Sequence, residues 1–264
     1  MPTVTRLSIA PVSSLGLEHP TEIDLTEHGV REDRRFYLID ANNRLVDRLQ
    51  IGSLVRIAAH TDPEATTLRL TFPDGVVVDD EVHLGEAIET PVYARSAVGH
   101  VVEGPWGAAL SAYCGREIRL VRCDRVGGTR SKHPATLITD GSLSLLGAHL
   151  GGGKVDGRRF RMLIELDDGA PHEEDTWIGG RIALGETILE ISAAVPRCAI
   201  TTQDPDTGIR DLDTLRTIID YRGIRNEKDV DFGVWGEVER PGRIRVGDAV
   251  RVVSVPLAEA AAES

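Results

Sequence analysis

The sequence predicts a mainly β protein with a few short helices. Many short runs of alternating or β-branched residues follow one another, and turn-forming residues separate nearly all of them. Only two stretches have the pattern of a helix, and many short strands with few helices are typical of β-barrels and sandwiches. With 264 residues, 41% of them hydrophobic, the chain can bury the core of one large domain or two ordinary ones.

Strands are predicted where apolar or alternating runs are bounded by glycine, proline, aspartate or asparagine. In the first half they are Val4–Ala10, Arg35–Asp40, Leu54–His60, Thr67–Phe72, Val76–Asp79, Val92–Ala97 and Glu117–Arg122. In the second half they are Met162–Leu166, Arg181–Ala194, Phe232–Glu239 and Ile244–Val255. Glycines at 151–153 and 179–180 indicate tight connections between these elements.

The two predicted helices both lie in the second half. One covers Leu143–Leu150 with Ser142 as its N-cap, and the other covers Leu212–Tyr221 and starts near Asp211 or Asp213. The character of the chain changes at the glycine pair 127–128, so we place a domain boundary after residue 125. The expected units are a β-barrel-like domain at 1–125, a second β-barrel domain at 126–256 and a flexible tail at 257–264.

The charge of the chain argues against two classes of partner. A net charge of −12 and a pI of about 5.1 do not suit general binding to nucleic acid or to an anionic membrane. The N-terminal residues lack the apolar core of a signal peptide, and no apolar run has the length of a membrane span. Three cysteines form no paired framework, so a reduced, cytoplasmic protein is expected. A basic pocket can still form locally, from the arginines at 31, 34, 35, 48, 158, 159 and 161.

One cysteine stands in a specialised setting. The segment RCAITTQDPDTG runs from Arg197 to Gly208, after an apolar strand-like run that Pro196 ends. A cysteine at a strand end, beside an arginine that favours the thiolate, is placed like a reactive thiolate or a ligand to a soft metal. On the cysteine alone, the more common role is that of a small buried apolar side chain.

The pattern around Cys198 adds more specific information. An Arg-Cys pair, two threonines and Asp-Pro-x-Thr-Gly resemble the MOSC family, here as Arg197, Cys198, Thr201, Thr202, Asp204, Pro205, Thr207 and Gly208. Within that family the chain resembles the two-part proteins represented by the mitochondrial amidoxime-reducing component. Further matches lie at IAPVSSLGL, EDRRFYLID, TLITDGSLSLL, GRRFRMLIEL, EEDTW, DFGVWGEV and RIRVGDAVRVV.

The resemblance implies a molybdenum cofactor and a set of residues around it. Cys198 would be the thiolate ligand to molybdenum, which makes it the metal ligand and a catalytic residue. Asp140 would lie close to the metal and handle protons. The cofactor-binding residues implied or expected are Ser13, Ser14, Arg35, Ser142, Arg161, Arg197, Thr201 and Thr202. The family is also associated with pyridoxal phosphate binding.

Each of these side chains also has a simpler explanation. Asp140 suits the first turn of a helix, and Ser142 suits an N-cap. Arg35 and Arg161 would form surface salt bridges, and Thr201 and Thr202 would shape a turn. The acidic run 173–175 could be a carboxylate metal site, but a solvated loop anchored by Trp177 is the preferred interpretation.

Two positions depart from the family pattern. The family lysine near the cofactor phosphate is Ser13 here, and the family Pro-Asn pair is Met162-Leu163. Both changes remove polar groups from the expected cofactor pocket. A charge-assisted hydrogen bond contributes about 1.5–3 kcal/mol, so losing one weakens binding by roughly tenfold to a hundredfold.

The leading hypothesis is a molybdenum-dependent oxidoreductase that reduces an N-hydroxylated small molecule. Electrons would come from a separate electron-transfer protein, because no flavin, haem or iron–sulfur motif is found in the sequence. Two alternatives stay open: Cys198 could carry sulfur or the cofactor to another enzyme, or the chain could be a degenerate domain that binds another anionic ligand or a protein.

Overall fold

The computed structural model describes residues 1–92, 95–129 and 133–254, and most of the regular structure is β. In the first half the strands are β1 (Val4–Leu7), β2 (Glu22–Thr26), β3 (Gly29–Val30), β4 (Phe36–Ile39), β5 (Leu45–Val46), β6 (Ala58–Thr61), β7 (Thr67–Thr71), β8 (Val77–Glu81), β9 (His83–Val92), β10 (Arg95–Glu103) and β11 (Arg119–Cys123). In the second half they are β12 (Ala135–Thr139), β13 (Ile164–Leu166), β14 (Arg181–Leu184), β15 (Thr187–Pro196), β16 (Asp231–Arg240), β17 (Gly242–Arg245) and β18 (Val250–Ser254). The prediction of a mainly β fold is confirmed.

Helical structure within the described residues is short. The α-helices are α1 (Trp106–Cys114), α2 (Asp140–His149) and α3 (Thr214–Arg222). Single 3-10 turns occur at Gly52–Arg56, Gly157–Phe160, Glu173–Trp177 and Ala199–Thr202. None of these helices, in the part of the chain that the structure describes, combines the length and the apolar character that a membrane span needs.

The second half is built on a seven-stranded sheet in the order β1-β13-β12-β16-β15-β14-β18. Only the β12–β13 pair is parallel. The two outer strands of this sheet meet, because the amide of Val4 donates to the Asp248 carbonyl (2.9 Å) and that of Val250 donates to the Pro2 carbonyl (2.8 Å). These bonds close the sheet around an apolar interior, which satisfies the edge groups of both strands.

The first half of the chain contributes to more than one core. Strands β1 and β2 pair with β13 and β17 and bury side chains in the core of the second half. The five-stranded sheet β5-β4-β11-β10-β9 and the three-stranded sheet β6-β7-β8 enclose a separate core around Phe36 and Trp106. The Trp106 indole donates to the Leu68 carbonyl at 3.0 Å. The predicted boundary after residue 125 stays a prediction, and the tail at 257–264 lies outside the described residues.

The sequence pattern explains where several elements begin and end. In β2 and β7, buried and exposed side chains alternate, as a strand with one covered face requires. Helix α3 is capped by Asp213, whose side chain accepts from the amide of Arg216 (3.2 Å), as expected. Helix α1 was not predicted from the sequence, although Pro105 precedes it and Gly115, at φ +65°, ends it.

Some predicted elements differ from the structure. The N-cap of α2 is Thr139, not Ser142, so this helix begins three residues earlier than predicted and Ser142 lies in its first turn. The predicted strand 181–194 is two strands, because the chain turns at Gly185, which has a φ of +54°. The predicted strand 54–60 begins as a 3-10 turn. The predicted strand 92–97 falls on two strands, because β9 ends at Val92 and β10 begins at Arg95, and residues 93–94 lie outside the described residues.

A glycine pair fixes the turn after Cys198 against the first half of the chain. A Cβ atom on Gly208 would lie 1.9 Å from the Gly52 carbonyl oxygen, and one on Gly52 would lie 2.4 Å from that of Gly208. The φ of Gly208 is +74°, which L-residues with side chains rarely adopt. Only glycines allow this close approach of the two backbones.

We therefore expect Gly208→Ala to lower the free energy of unfolding by about 2–4 kcal/mol, from left-handed backbone strain and overpacking together. Gly75→Ala is the matched control, since Gly75 has a φ of +88° but nothing within 4 Å of the added Cβ. That control should lower the free energy of unfolding by only about 1–2 kcal/mol. Urea unfolding of both variants measures the difference, and equal losses would show that the contact with Gly52 contributes nothing.

Candidate functional site

A cleft of about 250 Å³ lies where the two halves of the chain meet. From the first half it is lined by Ser13–Ser14, Asp33–Arg34 and Asp47–Arg48. From the second half it is lined by Arg159–Leu163 and by Val195–Cys198. The site is thus composed of segments that are far apart in the chain and that only the fold brings together.

Cys198 lies at the point where β15 ends. Pro196 still pairs with Asp231 of β16, and the amide of Arg197 donates to the Val230 carbonyl (2.8 Å). The next residues form a 3-10 turn in which the Thr201 amide donates to the Cys198 carbonyl (3.2 Å). This turn holds the Cys198 side chain at the surface of the cleft, where it is exposed.

The other cysteines lie in different surroundings. Cys123 is fully buried, and burial raises the pKa of its thiol to about 12. Cys114 is partly buried, and burial raises the pKa of its thiol as well. Thiolates react and bind metals, so these two cysteines are poor candidates for either role.

Arginines dominate the charge of the cleft. Five of them line it, whereas its carboxylates are those of Asp33 and Asp47; the arginines are Arg34, Arg48, Arg159, Arg161 and Arg197. Two of the five have carboxylate partners. Arg34 makes a bidentate pair with Asp33 (2.8 and 2.6 Å), and Arg159 makes one with Asp211 (2.6 Å for both bonds). The cleft is cationic although the whole chain is acidic.

Arg197 has neutral acceptors for all of its nitrogens. Nε donates to the Phe232 carbonyl (2.7 Å), Nη1 to the Phe160 carbonyl (3.1 Å) and Nη2 to the Met162 sulfur (2.7 Å). The guanidinium also lies over the Phe160 ring, 5.3 Å from its centroid. Burial lowers the pKa of Arg197 to about 9, which leaves it charged at neutral pH. Arg197 therefore contributes positive charge to the cleft, while each of its nitrogens already donates to a group of the protein.

Arg48 and Arg161 differ from Arg197 because they keep unpartnered nitrogens. Arg48 is 1% exposed, its Nε donates to the Gln203 side chain (2.8 Å), and its Nη2 has no acceptor. Burial lowers the pKa of Arg48 to about 10, and the nearby Cys198 opposes this shift. The Nη2 of Arg161 is also buried without an acceptor, and burial lowers the pKa of Arg161 well below its usual range. Arg161 has a left-handed backbone, with a φ of +51°.

The structure brings six of the predicted site residues together at the cleft: Ser13, Ser14, Arg161, Arg197, Cys198 and Thr201. The Ser13 hydroxyl is hydrogen-bonded to that of Thr129 (2.7 Å), and Ser14 has a φ of +74°. The Thr201 hydroxyl is bonded to that of Thr214 (2.8 Å) and is 2% exposed.

Four predicted site residues do not line the cleft. Arg35 is buried, and burial lowers its pKa. The charge of the neighbouring Arg122 lowers that pKa further. Asp140 accepts two hydrogen bonds from Lys154 (2.9 and 3.0 Å) beside a different hollow. Ser142 is fully buried, and the Thr202 hydroxyl donates to the Ala199 carbonyl (2.7 Å). The roles given to these residues stay predictions.

Sequence reasoning missed Arg34, Arg48 and Arg159 as individual site residues. The sequence contained a signal for each, because all three belong to the basic clusters noted above. Arg34 also stands in the same matched segment as Arg35 and next to it. Which of two adjacent arginines faces the cleft depends on the backbone, and Arg34 has a φ of +54° just before β4 begins.

The EEDTW segment packs inside the protein, so the preferred interpretation of a solvated loop is wrong for Glu174. This side chain is fully buried and accepts hydrogen bonds from Thr139 (2.6 Å) and Ser142 (2.7 Å). Trp177 is 3% exposed and anchors the segment, as expected. The carboxylate of Glu174 thus holds the first turn of α2 in place.

Two kinds of ligand attachment are not found among the described residues. No group of three or more histidine, cysteine, aspartate or glutamate side chains there could hold a metal ion by itself. The described residues that line the cleft include no lysine, the side chain that attaches pyridoxal phosphate.

His172 makes the stability of the protein depend on pH. Burial and then the Arg222 charge lower the pKa of His172 to about 4, from 6.5. Arg222 also donates a hydrogen bond to Nδ1 of His172, which only an unprotonated Nδ1 can accept. The folded state therefore binds a proton less readily than the unfolded state does. The stabilisation is fully present above pH 6.5 and is lost as pH falls towards 4.

We expect the free energy of unfolding to fall by up to about 3 kcal/mol over that range because of His172. His172→Asn should flatten the dependence while tolerating the left-handed φ of +59° at this position. His83→Asn, at an exposed histidine, is the control and should leave the slope unchanged. Urea unfolding at a series of pH values tests this, and equal slopes for wild type and His172→Asn would contradict it.

The exposure of the three cysteines and the charge of the cleft predict how they react with thiol reagents. Cys198 should be modified first, Cys114 more slowly and Cys123 only after unfolding, because their exposure decreases in that order. An anionic disulfide reagent should react with Cys198 faster than its neutral analogue does, and salt should reduce that advantage. Mass spectrometry of the modified peptides measures both effects, with Cys198→Ser as the control. A salt-independent ratio would contradict the cationic cleft.

Comparisons with known proteins show which family the chain matches. A family profile described as MOSC domain matches residues 79–251, and one described as MOSC N-terminal beta barrel domain matches residues 1–95. The "Mitochondrial amidoxime-reducing component 1" of Mus musculus is 33% identical, over 94% of this chain and 81% of its own length. The protein of the same name from Homo sapiens is 26% identical, over 94% of this chain and 82% of its own.

A further relative is larger than this chain. The "Molybdenum cofactor sulfurase" of Caenorhabditis briggsae is 25% identical over 95% of this chain, which spans 36% of that protein. The second profile confirms the predicted β-barrel domain at the N-terminus. The first profile covers well over half of the sequence, and it includes Cys198 and the turn that follows it. The chain therefore belongs to the MOSC family.

Proposed function

We propose that this protein binds a molybdenum cofactor in the cleft and reduces N-hydroxylated small molecules. The observation that carries the proposal is the exposed Cys198 thiol in a cleft where Arg48 and Arg161 have no carboxylate partner among the described residues. A thiol suits a soft metal, and guanidinium groups suit the phosphate of a pterin cofactor. The relatives named for amidoxime reduction and for the molybdenum cofactor support the same reading.

The residues present fit such a cofactor. Cys198 would provide a thiolate ligand, while Arg48 and Arg161 would donate hydrogen bonds to the anionic end of the cofactor. The two family positions that differ have become Ser13, which is bonded to Thr129, and Leu163, which is 5% exposed. Five arginines line the cleft, so it can attract an anion without the missing lysine.

The proposed reduction requires few further groups from the protein. The bound cofactor would supply the two-electron redox step that removes the oxygen from nitrogen. An N-hydroxylated substrate gains two electrons and two protons in that reaction and releases water. The apolar side chains of the cleft, among them Phe160, Met162 and Ile200, would pack against the substrate and exclude solvent. A separate electron-transfer protein would deliver the electrons.

A second candidate function rests on the exposure of Cys198. An exposed thiol in a cationic cleft could also carry a persulfide or hand over a cofactor, as the resemblance to a cofactor sulfurase allows. In this case Cys198 would hold a labile sulfur that mass spectrometry detects. A cytoplasmic location stays a prediction for both functions.

Molybdenum content tests the proposal. Protein from a host that makes the cofactor should contain close to one molybdenum per chain by inductively coupled plasma mass spectrometry. Cys198→Ser should lose the metal or hold it in an altered state, and Cys198→Ala should not reduce an N-hydroxylated base with a reconstituted electron donor. Cys114→Ser is the matched control, because Cys114 does not line the cleft and should leave both readouts unchanged.

Two results would refute the oxidoreductase. One is a wild-type protein without molybdenum, from a host shown to load a control molybdenum protein. The other is full activity in Cys198→Ala. A sulfur adduct on Cys198 without molybdenum would instead favour the carrier.

A further inference from the structure

A histidine lies in the wall of the cleft that contains Cys198. His133 lines this cleft just before β12 begins, and its side chain is partly buried. The imidazole packs against the indole of Trp235, with 4.3 Å between the ring centroids and 35° between the planes. Trp235 is itself held in the sheet, where it pairs with Thr136 of β12. The ring of His133 therefore has a fixed neighbour at the edge of the site.

Reduction of an N-hydroxylated molecule consumes protons as well as electrons. The nitrogen–oxygen bond breaks, two electrons and two protons are taken up, and the oxygen leaves as water. In the proposed function the electrons come from a separate electron-transfer protein. The protons must reach the reacting nitrogen and oxygen from solvent or from a side chain in the cleft. Such a side chain works best when it exchanges its proton near the operating pH.

The other charged groups of the cleft are poorly suited to this task. The five arginines keep their protons at neutral pH. Asp33 makes the bidentate pair with Arg34 and also accepts from the amide of Ala10 (2.8 Å). Asp47 accepts from two backbone amides of the turn that follows it (2.9 and 3.2 Å). Both carboxylates are thus engaged as hydrogen-bond acceptors of the fold.

Asp140, the residue expected to handle protons, lies beside a different hollow. Its carboxylate accepts two hydrogen bonds from Lys154, and it does not line the cleft. Histidine is the side chain that exchanges its proton between about pH 5 and 8. His133 is the one histidine among the described residues that line the cleft. Its position and its chemistry together suit the delivery of a proton.

We propose that His133 is the catalytic acid of the cleft, a role that rests on the proposed reduction of N-hydroxylated molecules. The imidazolium donates a proton to the oxygen that leaves the nitrogen, and the neutral imidazole regains a proton from solvent. The face of an indole attracts positive charge, so the stacked Trp235 favours the imidazolium. The five arginines of the cleft oppose this charge, and the carboxylates of Asp33 and Asp47 support it.

The pH dependence of turnover tests this role in molybdenum-loaded protein with a reconstituted electron donor. His133→Gln should lower kcat at least tenfold, since a positioned proton donor contributes about 10²–10⁴-fold. The KM and the molybdenum content of this variant should stay close to those of wild type. The kcat of wild type should fall as pH rises and His133 loses its proton, and this fall should be absent in His133→Gln. The matched control is His83→Gln, at an exposed histidine outside the cleft, which should keep the wild-type profile.

Chemical rescue separates proton donation from a packing role. Imidazole added to molybdenum-loaded His133→Ala should restore part of the lost kcat, because a free imidazole can donate the proton from the space that the side chain leaves. His133→Gln, in which the amide fills that space, should respond much less. A loaded His133→Ala that does not respond to imidazole would show that the residue only packs against Trp235.

NMR of protein without cofactor, labelled at its histidines, provides a measurement that needs no turnover. The signal that His133→Gln lacks should titrate between about pH 5 and 8. A signal that keeps one protonation state over this range would overturn the role, and so would a loaded His133→Gln with the rate and pH profile of wild type. If Asp140→Asn instead removes the fall in kcat, the proton comes from Asp140 and the proposal is wrong.

Failure of this role and failure of the proposed function give different results. Wild-type protein without molybdenum refutes the reduction, and the role of His133 falls with it. If His133 alone is misassigned, wild type still holds molybdenum and Cys198→Ala is still inactive, while His133→Gln turns over normally.

Discussion

The reciprocal hydrogen bonds between Arg48 and Gln203 hold the two sides of the site in register. The Arg48 Nε donates to the Gln203 side-chain oxygen, and the Gln203 side-chain nitrogen donates to the Arg48 carbonyl, both at 2.8 Å and both buried. Gln203 directly follows the turn that begins at Cys198. This pair of bonds therefore sets where the thiol lies relative to the first half of the chain. The contact between Gly52 and Gly208 fixes the same turn a few residues later.

Three arginines of the cleft divide into two kinds according to what accepts their hydrogen bonds. Each nitrogen of Arg197 donates to a carbonyl group or a thioether, and the guanidinium lies over an aromatic ring, so Arg197 shapes the site and adds charge. Arg48 and Arg161 keep nitrogen atoms without acceptors, although burial makes their charge costly. An anionic ligand in the cleft would provide acceptors for these nitrogen atoms. This distinction, rather than the number of arginines, supports anion binding.

The sequence predicts the parts of this site that depend on local chemistry. Cys198 and its turn are recognisable because proline, aspartate and glycine specify the backbone there directly. The choice between Arg34 and Arg35 was not predictable, because it depends on one left-handed residue before β4. The burial of Glu174 was also missed, since an acidic run is normally solvated and only the hydroxyls of Thr139 and Ser142 make its burial tolerable. Strands β1 and β2 have ordinary strand patterns, but nothing local shows that they pair with β13 and β17.

The closure of the barrel between the first and the last described strands affects how the protein folds during synthesis. Residues Pro2–Val4 complete the closure of the second barrel against strand β18, the last described strand. During synthesis β1 stays unpaired until β13 has been made, and the barrel cannot close until β18 has left the ribosome. Pairings between residues so distant in sequence slow folding and leave apolar strand edges open to wrong partners. Misfolding during synthesis is therefore a risk for this protein that does not depend on the stability of the finished fold.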